Sequence, residues 1–198
     1  ALTDLGVVVK LNTMVVDYVD DTVHFSNGET IQTKNLIWAA GVSAKAFEGI
    51  PEESYGRGKR MATDAFNKVN GTQNIYAIGD TCIQLTDEGF PNGHPQVAQV
   101  AIQQGINLAQ NFKLLKDNKQ MRPFKYHDKG SMAIIGKNKA VVDLPKPKMH
   151  FKGFFAWMIW LFIHLISLIA YRNRVKTFYN WMIAYFSKDQ SLRMIIRP

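Results

Sequence analysis

Between Lys152 and Arg172 run 19 residues without a formal charge, GFFAWMIWLFIHLISLIAY, and no other feature restricts the folding of this chain so strongly. As one helix the segment would measure about 28 Å, close to the thickness of a hydrocarbon layer. Such a helix can span a bilayer, lie within one leaflet, or sit in a protein core or dimer contact. Both flanks are basic: Lys146, Lys148 and Lys152 precede it, and Arg172, Arg174 and Lys176 follow. Spanning would put positive charge on both sides, against the positive-inside tendency. His164 and Ser167 lie one turn apart inside the run, and Trp157 and Trp160 fall away from its ends. The favoured reading is therefore insertion in the plane of an anionic leaflet, or re-entry into it.

The charge of the rest of the chain points the same way. The net charge is +8, but residues 1–110 carry 7 basic and 12 acidic side chains, whereas residues 111–198 carry 17 basic and 4 acidic. Such a basic end suits lipid headgroups or nucleic acid. The last stretch repeats the apolar theme, with Phe178, Trp181, Met182, Tyr185 and Phe186 at helical spacing and Lys188, Arg193 and Arg197 toward its end. Nucleic-acid binding wants aromatics interleaved with basic residues along a polar groove. Here the aromatics sit in apolar runs, so lipid is the expected partner and nucleic acid is not.

The amino-terminal half reads as sheet. GVVVKLN, MVVDYV and TVHF are β-branched and partly alternating, SNGE is a hairpin turn between Val23/Phe25 and Ile31, and NLIWAAGV is a further strand. Residues 1–10 read as a strand and its approach, with no secretory signal visible. Ala39, Ala40 and Gly41 leave room either for a bulky ligand or for close sheet-to-helix packing. Residues 42–70 read as a connection. GRGKRM, Gly56 to Met61, imitates a phosphate loop but lacks its third glycine and follows no apolar strand. With 46% apolar residues the chain can bury a core. Its single cysteine, Cys82, excludes an internal disulfide and a Cys-x-x-Cys site, and reads as a small packed side chain.

NIYAIGDTC, from Asn74 to Cys82, reads as a short apolar strand stopping on Gly79 and Asp80. An acid at the carboxyl end of a strand in an open α/β sheet can accept hydrogen bonds from ligand hydroxyls, and Gly79 would let the ligand approach the backbone; the alternative is ordinary Gly-Asp turn chemistry. A helix is expected from about His94 and Pro95 to the region of Lys116. Gln96, Gln99 and Gln103 share one of its faces, with Ala98, Ala101, Ile102 and Gly105 beside them. The glutamine stripe is either a solvated face or a row of neutral donors beside a helix amino end.

Taken together, WAAGV (Trp38–Val42), NIYAIGD, AQVAIQ (Ala98–Gln103), DKGSMAIIGKNKAVV (Asp128–Val142), GFFAWMIWLFIHL, YRNRV and NW make the chain resemble the type II NADH:quinone oxidoreductases. The resemblance implies an α/β fold: the carboxyl-terminal portion of a flavoprotein with two Rossmann domains for FAD and NAD(P), ending in a membrane-associating helical segment. It implies FAD and NADH as cofactors, with Gly79, Asp80, Val97, Ala98 and Gln99 at the FAD, Ala40 and Gly41 in the NADH/FAD vicinity, and Gln99 and Gln103 at a quinone. No metal site and no catalytic side chain are expected here.

The same resemblance divides the chain into residues 1–50 (back half of the NADH-binding domain), 51–112 (return of the FAD-binding domain), 113–150 (a small β-rich subdomain with SMAIIG and AVVD joined by the Lys137–Lys139 turn) and 151–198 (membrane anchor). Neither of the family's two G-x-G-x-x-G loops is present in these 198 residues. The expected activity is hydride transfer from NADH to FAD and delivery of electrons to quinone, on the cytoplasmic face of the cell inner membrane. A second copy of the chain is a further candidate partner. The alternatives are a sulfide:quinone oxidoreductase on the same scaffold, disfavoured by a single cysteine, and a membrane-binding module without activity.

Overall fold

The computed structural model describes residues 2–187, and these divide into two compact units: residues 11–128, and residues 2–10 with 129–187. The first unit opens with a three-stranded antiparallel meander of β1 (Val15–Val19), β2 (Thr22–Phe25) and β3 (Thr30–Gln32). A two-residue turn at Asp20 and Asp21, both at positive φ, joins β1 to β2. This is the twist that short hairpins require. The hairpin expected at Ser26–Glu29 is present, pairing Val23 with Ile31, with Gly28 at φ 85° and the Asn27 side chain accepting a hydrogen bond from Glu29 N–H. Val23 is the buried residue of this sheet.

Two expected strands do not form. GVVVKLN and NLIWAAGV are irregular and largely exposed, with Val8 at 83% and Ile37 at 91%. A β-branched run becomes a strand only where a neighbour takes up its N–H and C=O groups, and among the described residues none pairs with these segments. Residues 74–78 form no strand either: they make a single bridge, Lys68 to Tyr76, flanked by hydrogen bonds from Val69 N–H to Ile75 C=O and from Ala77 N–H to Asn67 C=O. Asp80 therefore ends no strand. It lies in a one-turn 3-10 helix, Gly79–Thr81, that leads directly into β5 (Cys82–Gln84).

Strand β5 pairs in parallel with β4 (Met61–Thr63), in the register Met61 to Cys82 and Thr63 to Gln84. Met61, Val69, Ala77 and Cys82 form the core beneath them. The long helix α1 runs from Ala98 to Lys116, three to four residues later than the start expected at His94 and Pro95, because Val97 is still extended at φ −136°. Asn118 at positive φ ends it, and Lys119 N–H returns to the Leu114 carbonyl.

Helix α1 holds the irregular segment that follows by two side-chain amides acting as a strand backbone would. Asn111 exchanges hydrogen bonds of 2.9 and 2.8 Å with Arg122 C=O and N–H, and Gln103 exchanges bonds of 2.9 and 3.0 Å with His127 C=O and N–H. Residues 121–128 thus stay with α1, and the division between units falls at Asp128/Lys129.

The second unit is an antiparallel sheet, β6 (Ser131–Gly136), β7 (Lys139–Pro145) and β8 (Lys148–Gly153), covered by α2 (Phe154–Ser167). Ala140, Val142 and Ala156 are its buried centre, with Met132, Leu144, Phe151, Trp157 and Ile159 packed around them. β8 takes up two of the three lysines that the sequence suggested as a helix flank, Lys148 and Lys152, while Lys146 lies in the turn before it; lysines suit an edge strand. The uncharged run is not one helix. It breaks at residues 168–170, where Ala170 has φ 69°, and α3 (Tyr171–Ser187) begins anew. Arg174 Nε donates to the Leu168 carbonyl just beyond the end of α2 at 3.0 Å. Lys188, Arg193 and Arg197 lie outside the described residues.

Candidate functional site

The turn that carries Asp80 is fastened to the first turns of α1. Gly79 is buried at φ +68°, and a Cβ there would come within 3.1 Å of the Ala101 Cβ, so the helix, rather than a ligand, occupies the space the glycine leaves. Its N–H donates to Gln104 Oε1 at 2.7 Å. From the other side Gln96 Nε2 donates to the Asp80 carbonyl at 3.3 Å. The Arg60 guanidinium ties the ends of the adjoining loop together, donating to Cys82 C=O at 2.7 Å and His94 C=O at 3.3 Å. Asp80 itself is exposed; among the described residues its carboxylate accepts no hydrogen bond, and Arg60 is its charged neighbour. A carboxylate so held can receive hydrogen bonds from hydroxyl groups.

Of the other expected site residues, Val97, Ala98 and Gln99 follow one another at the amino end of α1, Val97 capping it without a side-chain hydrogen bond. Val97 and Ala98 are exposed and Gln99 and Gln103 half-buried. Gln103 spends its amide oxygen and one N–H on His127, leaving its second N–H as the donor an acceptor could use. Ala40 and Gly41 stand on exposed irregular backbone, and a Cβ on Gly41 would meet nothing within 4 Å.

Two buried groups escaped the sequence reading. Gln104 is fully buried, with its amide 3.4 to 3.6 Å from Cys82 Sγ; only its place in one buried stripe of the helix, about one turn from Val100 and two from Asn111, could have pointed to it. Burial pushes the Cys82 thiol up, and hydrogen bonds from Gln104 and Asn67 with the nearby Arg60 charge offset only part of this.

The second is His94, 2% exposed among the rings of Phe90, Phe124 and Tyr126. Its Nε2 lies 2.9 Å from Asp87 Oδ2, which also accepts from Tyr126 N–H at 3.1 Å, while Gly89 N–H donates to Oδ1. Burial raises Asp87, but the hydrogen bonds from His94 and from the Tyr126 and Gly89 backbone outweigh it and hold the carboxyl below its usual range. Burial and the nearby Asp128 push Tyr126 up to about 12.

In the second unit α2, α3 and β6 enclose an apolar groove of about 820 Å³, walled by Trp157, Trp160, Leu161, Phe178, Trp181 and Tyr185. Lys137 stands over the Tyr185 ring at 4.0 Å and donates to the Tyr185 carbonyl. Phe155, Met158, Phe162, Ile166 and Ile169 form an exposed apolar stripe, and Val175, Phe178, Met182 and Phe186 another. The polar side chains of α2 are satisfied within it: His164 Nδ1 bonds the Trp160 carbonyl at 2.8 Å and Ser167 the Ile163 carbonyl at 2.7 Å. At 14 residues α2 measures about 21 Å, and no helix among the described residues is long and apolar enough to cross a membrane.

Residues 1–105 match the family model described as pyridine nucleotide-disulphide oxidoreductase, and residues 128–189 match that of the NDH2 C-terminal domain. The chain is 34% identical over 200 residues to the type II NADH:quinone oxidoreductase NdhA of Mycobacterium tuberculosis, covering 94% of this chain and 41% of that protein. It is 31% identical to the internal alternative NAD(P)H-ubiquinone oxidoreductase A1, mitochondrial, of Arabidopsis thaliana, over 83% of this chain and 35% of that one. The chain thus spans about two fifths of the length of these curated relatives. Among solved structures, that of NDH2 from Plasmodium falciparum in complex with NADH superposes with a TM-score of 0.76 at 20% identity, over 93% of this chain and 53% of the other, a likeness of fold. The chain belongs to the pyridine nucleotide-disulphide oxidoreductase family and, carrying the NDH2 C-terminal domain, to its type II NADH dehydrogenase branch.

Proposed function

We propose that these residues serve a type II NADH:quinone oxidoreductase, which oxidises NADH through FAD and reduces a quinone at a membrane surface. The observation that carries this reading is the joining, in one chain, of the Asp80 turn held against α1 with a carboxyl-terminal unit whose helices expose apolar stripes beside basic residues. In this reading residues 1–50 belong to the nicotinamide domain, 51–112 to the flavin domain, 113–150 to a small β subdomain and 151–198 to the anchor.

The residues present fit FAD in part. Asp80 offers an uncommitted, exposed carboxylate suited to the hydroxyls of a ribityl chain, while the sequence holds no glycine-rich loop for the pyrophosphate. Bound FAD supplies the acceptance of two electrons from the nicotinamide and their delivery to the acceptor. The chain's own part is to bind and orient: Asp80 accepts hydroxyl hydrogen bonds, and Val97 and Ala98 present the amino end of α1, which favours negative charge. Ala40 and Gly41 keep the nicotinamide side free of bulky side chains. Gln99 and Gln103 are assigned to the quinone carbonyls, since a neutral acceptor calls for neutral donors. The sulfide alternative would need an accessible thiolate, and Cys82 is 1% exposed with its thiol pushed up. The anchor is placed in the plane of the cytoplasmic leaflet of the cell inner membrane.

The test compares two electron acceptors in a protein spanning the full length of its relatives. Gln103→Leu should lower quinone reduction about tenfold relative to reduction of a soluble acceptor, the loss of one hydrogen bond to a buried partner. Because Gln103 also holds His127, some loss of thermal stability accompanies it. Equal loss with both acceptors would remove Gln103 from the quinone site.

A further inference from the structure

We infer that Gln104 is a positioning residue for the flavin-binding carboxylate: by accepting the Gly79 N–H, its buried amide fixes the turn from which Asp80 projects. The inference rests on the proposed meeting of Asp80 with FAD and adds a residue to that site.

Gln104 is 0% exposed. Burying a primary amide in an apolar interior is unfavourable unless its hydrogen bonds are met, and it freezes three side-chain torsions that a smaller apolar residue would not carry. A leucine would fill much the same space with fewer torsions to freeze and no hydrogen bonds to meet, so the amide is explained by what it binds. Its Oε1 lies 2.7 Å from the Gly79 nitrogen. Gly79 is buried and opens a 3-10 turn, where the first N–H groups have no partner within the turn, so without Gln104 this donor would be orphaned.

The next residue is Asp80. Gln96 holds its carbonyl from the exposed side, and the contact of Gly79 with Ala101 leaves the turn no room to sink further toward the helix. Of these three constraints, the Gln104 bond alone is both buried and directional. It is also made from α1, which carries Gln99 and Gln103, so one rigid helix sets the carboxylate and the glutamine stripe in a common frame. The amide's proximity to Cys82 Sγ, at 3.4 Å, gives Gln104 its second neighbour and keeps it from turning away.

The test is a double-mutant cycle on FAD dissociation, read by flavin fluorescence in the protein spanning the full length of its relatives. Gln104→Leu should weaken FAD roughly 5- to 100-fold when Asp80 is present, the cost of an orphaned buried N–H. In the Asp80→Asn background the same change should weaken FAD by less than about twofold, because the group it positions is no longer there. Gln104→Glu, which keeps an acceptor facing Gly79, should restore most of the affinity. Equal weakening in both backgrounds, or equal loss in the leucine and glutamate variants, would overturn the inference and make Gln104 a packing residue. If Asp80→Asn leaves FAD binding unchanged, the flavin reading of Asp80 falls, and the inference with it. Should Gln104→Leu lose its cooperative melting transition, Gln104→Asn, which withdraws the amide by one methylene, takes its place with the same expected coupling to Asp80.

Discussion

Asp87 shows how much a single side chain does in this fold. Its two oxygens take three hydrogen bonds, from His94, Tyr126 and Gly89, and so tie the loop before α1 to the segment after it. His94 Nε2 carries the proton of its bond, while Nδ1 is buried with no partner among the described residues. Asp87→Asn should destabilise the protein by about 1–3 kcal/mol near neutral pH, measured by urea unfolding. Because the folded carboxyl lies below its usual range, this contribution is complete above the ordinary carboxylate value near 4 and declines as pH falls through the lower folded value. The gap between wild type and variant should therefore narrow in acid; a gap constant from pH 7 to pH 3 would refute the assignment. Little of this was legible in GFPNGHPQ, where His94 read only as the approach to a helix. Its partners, Phe124 and Tyr126, are about 30 residues away, and nothing local marks them. Gly79 teaches the complementary point: the need for a small residue was legible, but what fills the space, Ala101, was not.

At the scale of elements, periodicity was a sound guide where a segment supplies its own hydrogen bonds and a poor one where it needs a neighbour. The Ser26–Glu29 hairpin formed where its residues said, and helix α1 did so apart from a start three to four residues later, whereas NLIWAAGV and GVVVKLN stayed irregular without a partner strand. The break at residues 168–170 had no signal either, since Ala170 adopts positive φ without being a glycine or asparagine. Gly130 gives this scale its prediction. It stands before β6 at φ +99°, and a Cβ would lie 2.2 Å from the Asp143 carbonyl oxygen of β7, a backbone atom with no freedom to retreat. Gly130→Ala should cost more than about 2 kcal/mol and loosen the β6–β7 pairing in hydrogen exchange. Gly49→Ala, with φ +81° but open space around it, should cost only the backbone strain, about 1 kcal/mol. Equal costs would mean that the close approach of Gly130 to β7 plays no part in holding the sheet.

For the molecule as a whole, the proposed partner is a lipid surface, and its test lies in charge and apolar surface. The basic residues gather in the carboxyl-terminal half, where α2 and α3 expose Phe155, Phe162, Ile166, Phe178 and Phe186. Replacing Lys146, Lys148, Arg172 and Arg174 by glutamine should weaken sedimentation with anionic vesicles by about 1 kcal/mol per charge at low salt and leave neutral vesicles unaffected. Phe155→Ser with Phe162→Ser should weaken both. Vesicle binding indifferent to charge, salt and both phenylalanines would remove the membrane from the account. Composition and order alone determined that one half is acidic and sheet-like and the other basic and apolar, and that an acid, a small-residue helix face and a glutamine stripe follow one another; these are properties of neighbours along the chain. Only the tertiary structure decided that Asp80 rides a turn pinned by Gln104, that Gln103 is half committed to His127, and that the helix of the uncharged run stops at Ser167. The first two depend on a backbone group far away in sequence, Gly79 for Gln104 and His127 for Gln103, finding its partner, and pattern carries no record of that choice.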